Sequence, residues 1–319
     1  MEHRPHLEAS EEPVRQNSTF WVIGAAALNQ ASKGLAFMKT IACAIALSLT
    51  TGFAYADDLS ALSTGFDSAE ALDVWSEHRP EGFTRKWQEP RIEDGKLVLQ
   101  PVSSGWFEDN QAGHLYHQIS GNFIATTRIE VVGTKADLPQ TSFSLAGLFI
   151  RTPRELTAAS WTPGQETWLF FSVGTAAPAG EPHYELKTTT NSLSTLQILP
   201  AQTGPVDLRI ARHGELFTLL ARTEGGEWEV VEQIVRPDLP LVLNVGLTAY
   251  ADYDSVAPTY PNYHVYNTKG APTENADLIA YVDRFDLRRP ATGRLPIANI
   301  DAPAFLDVIT ARRDDLLSD

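Results

Sequence analysis

Apolar and polar residues alternate with a period of two along most of the chain after residue 57. Between Phe123 and Val131, for example, apolar side chains recur at every second position. This period is typical of a β-strand with one buried face, because successive side chains point to opposite faces. The same alternation, or a denser apolar run, predicts strands at residues 142–151, 168–173, 206–210, 216–223, 228–235, 241–250 and 280–287.

Turn signals separate these predicted strands. Glu93-Asp94-Gly95-Lys96 and Glu224-Gly225-Gly226-Glu227 supply residues that tolerate positive φ, as hairpin turns require. No amphipathic helix of about twelve residues occurs between Asp57 and Pro290. Strands without crossover helices predict an all-β fold, an antiparallel two-sheet β-sandwich of the jelly-roll type at residues 57–290, with a barrel as the alternative. Residues 291–319 read as a linker followed by a short C-terminal helix.

The N-terminal part of the chain carries an export signal at residues 38–56. Met38-Lys39 begins a short basic segment, an apolar core follows, and Ala54-Tyr55-Ala56 matches a cleavage site. We therefore predict a periplasmic or secreted protein, cleaved after Ala56. Residues 1–37 are then either a start-site artefact or a disordered extension. The apolar core is shorter than the roughly 20 residues that span a bilayer, which argues against stable membrane insertion.

Charge and cysteine content restrict the partners and the chemistry. The chain has 25 Lys and Arg against 40 Asp and Glu, a net charge of −15, and no basic stripe for a phosphate backbone. Nucleic acid is therefore a poor partner. The single cysteine, Cys43, lies in the export signal. The mature domain then has no disulfide, no thiol nucleophile and no cysteine-ligated zinc.

Several core and turn positions resemble the concanavalin A-like lectin/glucanase superfamily. The segments with this resemblance are residues 92–99, Ile119-Ser-Gly-Asn-Phe123, residues 208–217 and Asp283-Arg-Phe-Asp-Leu287. More narrowly, their order is similar to the uncharacterised bacterial branch named after "regulation of enolase". The resemblance covers roughly residues 60–288. It implies a sandwich fold, an extracytoplasmic location and frequent attachment to carbohydrate-active proteins, but no single reaction.

Aromatic residues in long loops provide the candidate ligand site. Tyr rings can stack on the CH faces of sugars while their hydroxyl groups form hydrogen bonds, and long ordered loops are often functional. Acidic residues accompany the rings. The alternative is that the rings only anchor their own loops to the sandwich. The candidate ligand-binding residues are Trp106, Glu108, Asp109, Trp161, Tyr250, Tyr253, Tyr260 and Tyr263.

Catalytic and metal-binding candidates are fewer. Residues 227–232, with Glu227 and Glu229, resemble the Glu-x-Asp-x-x-Glu strand of laminarinase-type glycoside hydrolases, although Glu229 replaces the central Asp. Such enzymes use paired carboxylates. Asp252 and Asp254 could donate oxygens to a structural calcium ion, although no EF-hand loop is present. No organic cofactor is expected.

Three functions follow from these observations. The first is an exported module that binds a glycan through aromatic and acidic loops, without catalysis. The second is a glycan-active hydrolase or lyase with carboxylates in a groove. The third is a structural or interaction domain without a sugar ligand. The oligomeric state is not set by the sequence.

Overall fold

Two seven-stranded antiparallel sheets form the described part of the chain. The computed structural model describes residues 58–291 and 313–318. Sheet 1 contains, in spatial order, β1 (Ser76–Glu77), β4 (Leu115–Ser120), β13 (Val242–Tyr250), β6 (Ser144–Arg151), β7 (Trp168–Thr175), β8 (Pro182–Thr190) and β9 (Leu193–Pro200). Sheet 2 contains β12 (Glu229–Val235), β11 (Leu216–Thr223), β10 (Val206–His213), β5 (Phe123–Val132), β14 (Ile279–Arg288), β3 (Lys96–Leu99) and β2 (Arg91–Glu93). The predicted all-β sandwich is confirmed.

The alternating pattern located seven of these strands to within two residues at either end, namely β5, β6, β7, β11, β12, β13 and β14, and it ended β10 three residues early. β11 has the predicted bounds, and all eight residues of β7 are buried, as its dense apolar run indicated. The hairpin between β2 and β3 turns through Asp94 and Gly95, whose φ values are 51° and 73°. The pattern missed β1, β4, β8 and β9. The last three residues of β8 are Thr, and β9, whose Leu and Ile residues do not alternate strictly, is largely exposed at the edge of sheet 1.

The main core lies between the two sheets. In β6 the residues Ala146, Leu148 and Ile150 point into this core, and their neighbours point to the opposite face of sheet 1. β10 of sheet 2 contributes Leu208 and Ile210 to the same core. The sequence period of two therefore decides which residues of each strand meet the opposing sheet.

A second, smaller cluster covers the outer face of sheet 1. Its buried members are Trp106, Ala112, Leu145, Phe149, Trp168, Phe170 and Tyr250. Trp106 and Ala112 come from one long segment, residues 100–114, which we call the Trp106 loop. Sheet 1 is thus buried on both faces at its centre, which explains why β6 and β7 have no exposed residue.

The tyrosine-rich segment contains short helices where the sequence indicated only a loop. Helix α1 covers Tyr253–Val256, a 3-10 turn covers Ala257–Thr259, and helix α2 covers Tyr263–Lys269. Helix α2 ends at Gly270, whose φ is 86°. At the C-terminus residues 313–317 are helical, within the range predicted for the short helix. Two further 3-10 turns precede the first strand, at Ser60–Leu62 and Ala69–Leu72.

The export signal and residues 1–37 lie outside the described residues. Among the residues that the structure does describe, no helix has both the length and the apolar character to cross a membrane.

Candidate functional site

An aromatic cavity opens on the outer face of sheet 1, near β8 and β9. Its volume is about 150 Å³. The lining residues are Gly105, Trp106, Phe107, Phe143, Lys187, Leu196, Tyr250 and Tyr253. Three of the eight residues predicted to bind a ligand, Trp106, Tyr250 and Tyr253, are therefore brought to one place although about 145 positions separate the first from the other two. We call this space the aromatic cavity.

The Trp106 loop fixes the inner wall of the cavity. The Trp106 ring is fully buried and stacks on Phe149 with 4.6 Å between ring centroids. Its indole nitrogen donates to Thr248 Oγ1 at 3.0 Å, so the ring has one orientation. Tyr266 of helix α2 holds the loop from the other side, because its hydroxyl accepts from Gly105 N at 2.9 Å. The loop therefore reaches the sheet with Trp106 as an anchor.

A buried ionic network forms the base of the cavity. Lys187 Nζ donates to Tyr250 Oη at 2.6 Å and to the Trp106 carbonyl at 3.2 Å, and lies 2.9 Å from Glu185 Oε1. Tyr250 Oη donates to the same carboxylate oxygen. Burial lowers the pKa of Lys187, an effect that Glu185 opposes. Burial and the Glu185 carboxylate raise the pKa of the Tyr250 hydroxyl. Lys187, Tyr250 and Glu185 Oε1 thus bond to one another, whereas the buried Glu185 Oε2 has no hydrogen-bond partner in the described part of the chain.

The rim of the cavity carries half-buried rings and one carboxylate. Tyr253 makes edge contacts with Phe107 and Phe143, with ring centroids 6.1 and 5.9 Å apart. Beside them Tyr263 Oη donates to Glu108 Oε2. Burial, followed by the Glu108 hydrogen bond, raises the pKa of Tyr263 above its usual value. A polar rim around an aromatic wall suits a ligand with both CH faces and hydroxyl groups.

Unusual backbone conformations border this cavity. Glu108, Phe143 and Asp252 have φ values of 51°, 49° and 63°. Positive φ is uncommon outside glycine, and for a bulky residue such as Phe143 it is an outlier. Residues in such conformations often cluster at ligand-binding sites, where the surrounding structure imposes them. The observation strengthens the case for the cavity as a functional site.

The other predicted ligand residues take different positions. Asp109 ties two loops to the Trp106 loop, since its carboxylate accepts from Gly164 N at 2.9 Å and from Ser192 Oγ at 2.6 Å. Tyr260 is half exposed and contacts Tyr263 edge-on at 5.7 Å, outside the lining. Trp161 lies against His264 with ring centroids 5.7 Å apart and does not line the aromatic cavity.

The catalytic candidates lie elsewhere, on the exposed edge of sheet 2. Glu227 and Glu229 line an open depression of about 330 Å³, together with Tyr184 of β8. A β-bulge in β12 pairs Glu229 with Ala221 and Glu232 with Leu219. Since Ala221 and Leu219 both face the core, the bulge brings Glu229 and Glu232 to the same face, whereas an unbulged strand would separate them. None of the three approaches the aromatic cavity.

The residues considered for calcium are engaged with protein groups. Asp252 Oδ2 accepts from Ser103 Oγ at 2.6 Å and from Asn275 N at 3.1 Å, and its residue is buried. Asp254 is exposed in helix α1. In residues 58–291 and 313–318, no group of three or more His, Cys, Asp or Glu side chains is placed to hold a metal ion. The structural calcium ion stays a prediction.

A second depression, the polar groove, flanks Trp106 on the β1 side. Its volume is about 410 Å³, and His78 and Arg154 line it. Behind it the buried Glu166 carboxylate accepts hydrogen bonds from Arg151 Nε and Nη2, at 2.8 and 2.9 Å. It also accepts one from Arg154 Nη1, at 2.6 Å. Although burial opposes it, these guanidiniums hold the pKa of Glu166 below its usual value. Burial, then Arg151, lowers the pKa of His78 to about 3. A doubly paired carboxylate beside a neutral imidazole stabilises the loops and is poorly placed to attack or protonate a substrate.

Sequence reasoning missed four contributors to the aromatic cavity and its base: Phe143, Glu185, Lys187 and Leu196. Three of them lie on β8 and β9, the strands that the periodicity did not reveal. Glu185 and Lys187 alternate along β8 on the face where a polar residue would be expected to meet solvent. Only the Trp106 loop, packed over that face, makes them buried.

The sequence matches no family model and no curated protein. Several solved structures are similar. A xylan β-1,4-xylosidase from Bacillus halodurans C-125 is 14% identical, with a TM-score of 0.47, over 71% of this chain and 39% of that chain. The basic winged bean lectin with Tn-antigen is 14% identical, with a TM-score of 0.44, over 72% of this chain and 98% of the lectin. A β-glucanase from Bacillus licheniformis is 9% identical, with a TM-score of 0.42, over 71% and 97%.

The alignment thus spans about two fifths of the xylosidase. A lectin and a glucanase are among these structures. The narrower resemblance to the "regulation of enolase" branch stays a prediction.

Proposed function

We propose that this protein is an exported module that binds a carbohydrate in the aromatic cavity. The observation that carries the proposal is the convergence of Trp106, Phe107, Phe143, Tyr250 and Tyr253 on one small cavity. Its volume of about 150 Å³ is below the usual range for drug-sized ligands and suits a single sugar ring. The half-buried rings of Phe107, Phe143 and Tyr253 would stack on the CH face of the sugar, while Glu108 and Tyr263 beside them would bind hydroxyl groups.

Export is part of the proposal and depends on residues 38–56 alone. N-terminal mass spectrometry of the protein recovered from the extracytoplasmic fraction tests it. A mature chain that starts at Asp57 supports export, and a chain that retains Glu2 contradicts it.

Binding is tested with a glycan array, followed by calorimetric titration of the retained sugars. Tyr253→Ala removes a half-buried ring from the cavity, and we expect it to weaken binding about tenfold, since one stacked ring contributes on the order of 1.4 kcal/mol. Tyr281→Ala is the matched control, because Tyr281 is a partly buried ring on sheet 2, away from the cavity. If no sugar is retained, or if the two variants bind alike, the proposal is wrong.

The competing functions give different results in the same experiment. Release of reducing sugar from a retained polysaccharide, lost in Glu227→Gln or Glu229→Gln, would favour the glycan-active enzyme. The position of both carboxylates outside the aromatic cavity favours binding without catalysis. A protein that retains no glycan and has a folded aromatic cavity would be the structural or interaction domain.

A further inference from the structure

Four arginines line a second cavity, on the outer face of sheet 2. They are Arg209 of β10, Arg222 of β11, and Arg284 and Arg288 of β14. The cavity has a volume of about 550 Å³ and also includes Ser60, Ser63 and Thr126. We call it the arginine cavity. Asp286 also lines the cavity and accepts from Arg284 Nε at 2.9 Å, so the four arginines lie beside carboxylates in a chain with a net charge of −15.

Buried groups hold these arginines in place. Asp207 is 3% exposed, and its carboxylate accepts from Arg222 Nε at 3.0 Å and from Arg284 Nη2 at 2.8 Å. Trp228 lies under the guanidiniums of Arg209 and Arg222, with Cζ to ring-centroid distances of 4.0 and 4.6 Å. Side chains fixed in this way lose little further entropy when a ligand binds, which favours affinity.

The arginine cavity already holds oxygen acceptors at one side. Arg288 donates from Nη1 to Asp315 Oδ1 and from Nη2 to the Asp315 carbonyl, both at 2.7 Å. Arg209 Nη1 donates to the Ser318 carbonyl at 2.8 Å. The C-terminal residues 313–318 thus already bond to Arg209 and Arg288 and show the ligand chemistry that these guanidiniums select. Arg284 keeps 36% of its side chain exposed toward solvent.

We propose that the arginine cavity is a second ligand site, for a saccharide that carries a carboxylate or sulfate group. Guanidiniums bind such oxyanions with two parallel hydrogen bonds. The volume exceeds that of an inorganic anion, and the hydroxyl groups at the rim suit the rest of a sugar. This site is independent of the aromatic cavity, on the opposite sheet.

Calorimetric titration of the full chain with tri-galacturonic acid tests the proposal, with its methyl ester as the neutral control. We expect the free acid to bind at least about tenfold more tightly than the ester, since a charge-assisted hydrogen bond contributes roughly 1.5–3 kcal/mol. Affinity should fall as ionic strength rises. A sulfated disaccharide and inorganic phosphate, run in parallel, distinguish carboxylate from sulfate recognition and a sugar from a bare anion.

Two arginine variants locate the binding. Arg284→Gln should weaken binding of the acid about tenfold or more. Arg128→Gln is the matched control, because Arg128 also approaches Asp207, at 3.8 Å, yet does not line the cavity. We expect it to change affinity less than about twofold. Tyr253→Ala should leave this binding unchanged, which separates its outcome from that of the aromatic cavity.

Several results would overturn the proposal. With the ligands, these are no binding of either acidic sugar, equal affinity for phosphate and the sugars, or tighter binding of duplex DNA than of the acid. With the variants, they are equal losses of affinity in the two arginine variants, or loss of binding in Tyr253→Ala.

Discussion

At the scale of single residues, the outer face of sheet 1 is organised by charged groups that are buried together. Lys187 and Glu185 have side chains 4% and 0% exposed, 2.9 Å apart. Removing charges from water is expensive, and further hydrogen bonds offset part of that cost. Tyr250 and the Trp106 carbonyl provide such bonds to Lys187, and Tyr250 donates to Glu185 Oε1, while Glu185 Oε2 has no partner within residues 58–291 and 313–318. The buried ion pair and the packing of the aromatic cavity therefore stabilise each other.

Lys187→Met should lower the free energy of unfolding by about 3 kcal/mol, because it leaves the Glu185 carboxylate buried without its cation. The double variant Glu185→Gln/Lys187→Met should recover most of this loss. Urea denaturation followed by tryptophan fluorescence measures both. As a control, Lys96→Met breaks the exposed pair with Asp283 and should change stability by less than about 1 kcal/mol. A double variant no more stable than Lys187→Met would contradict the argument.

At the scale of elements, the Trp106 loop determines which part of the outer face of sheet 1 is accessible to a ligand. Its tryptophan fills the centre of the outer face and leaves the aromatic cavity on one side and the polar groove on the other. The loop can approach so closely because Gly113 lies against the Trp87 ring. A Cβ atom at Gly113 would stand 2.2 Å from Trp87 Cδ2.

Gly113→Ala should therefore destabilise the protein by about 1–3 kcal/mol, as overpacking does, and should disturb the aromatic cavity. The control is Gly105→Ala in the same loop. There a Cβ atom would meet only Tyr253 Cδ2, at 3.8 Å, which is ordinary contact. Thermal unfolding of the two variants compares them. Equal midpoints would show that the loop accommodates the added methyl group.

At the scale of the whole molecule, the two sheets share one core but present different outer faces. Sheet 1 carries aromatic rings under loops, and sheet 2 carries arginines over strands β10, β11 and β14. Buried histidines lie on both faces of sheet 1, with His117 toward the shared core and His114 against Phe149 of the outer-face cluster. His117 of β4 is 6% exposed and packs on Trp75 with ring centroids 4.2 Å apart. Burial lowers the pKa of His117 to about 4 and that of His114 well below its usual value.

These shifts predict that stability decreases in mild acid. A histidine has a pKa of about 6.5 when unfolded, so between pH 6.5 and about 4 the unfolded chain binds more protons than the folded one. The contribution is complete above pH 6.5 and decreases by about 1.4 kcal/mol per pH unit for each such histidine as the pH falls. Urea denaturation of His117→Leu should show a correspondingly flatter dependence between about pH 6.5 and 5. His264→Leu, at an exposed position, is the control and should keep the original slope.

The period of two determined the fold class, because a strand with one buried face must alternate whatever it packs against. The same reasoning located β5, β11 and β13, and the aromatic residues of the long loops identified Trp106, Tyr250 and Tyr253 as candidate ligand residues. The period of two did not reveal β8 and β9, since the apolar residues of neither strand alternate strictly with polar ones.

Only the tertiary structure decided which of those aromatic residues meet. Trp106 and Tyr253 line the same cavity, and Trp161 does not. Sheet order and loop packing bring distant segments together, and no local sequence pattern encodes which segments meet. The tertiary structure also gathered Arg209, Arg222, Arg284 and Arg288 from three strands into one cavity, which a net charge cannot show. Local periodicity is a property of neighbouring residues, and a binding site is a property of segments that meet only when the chain folds.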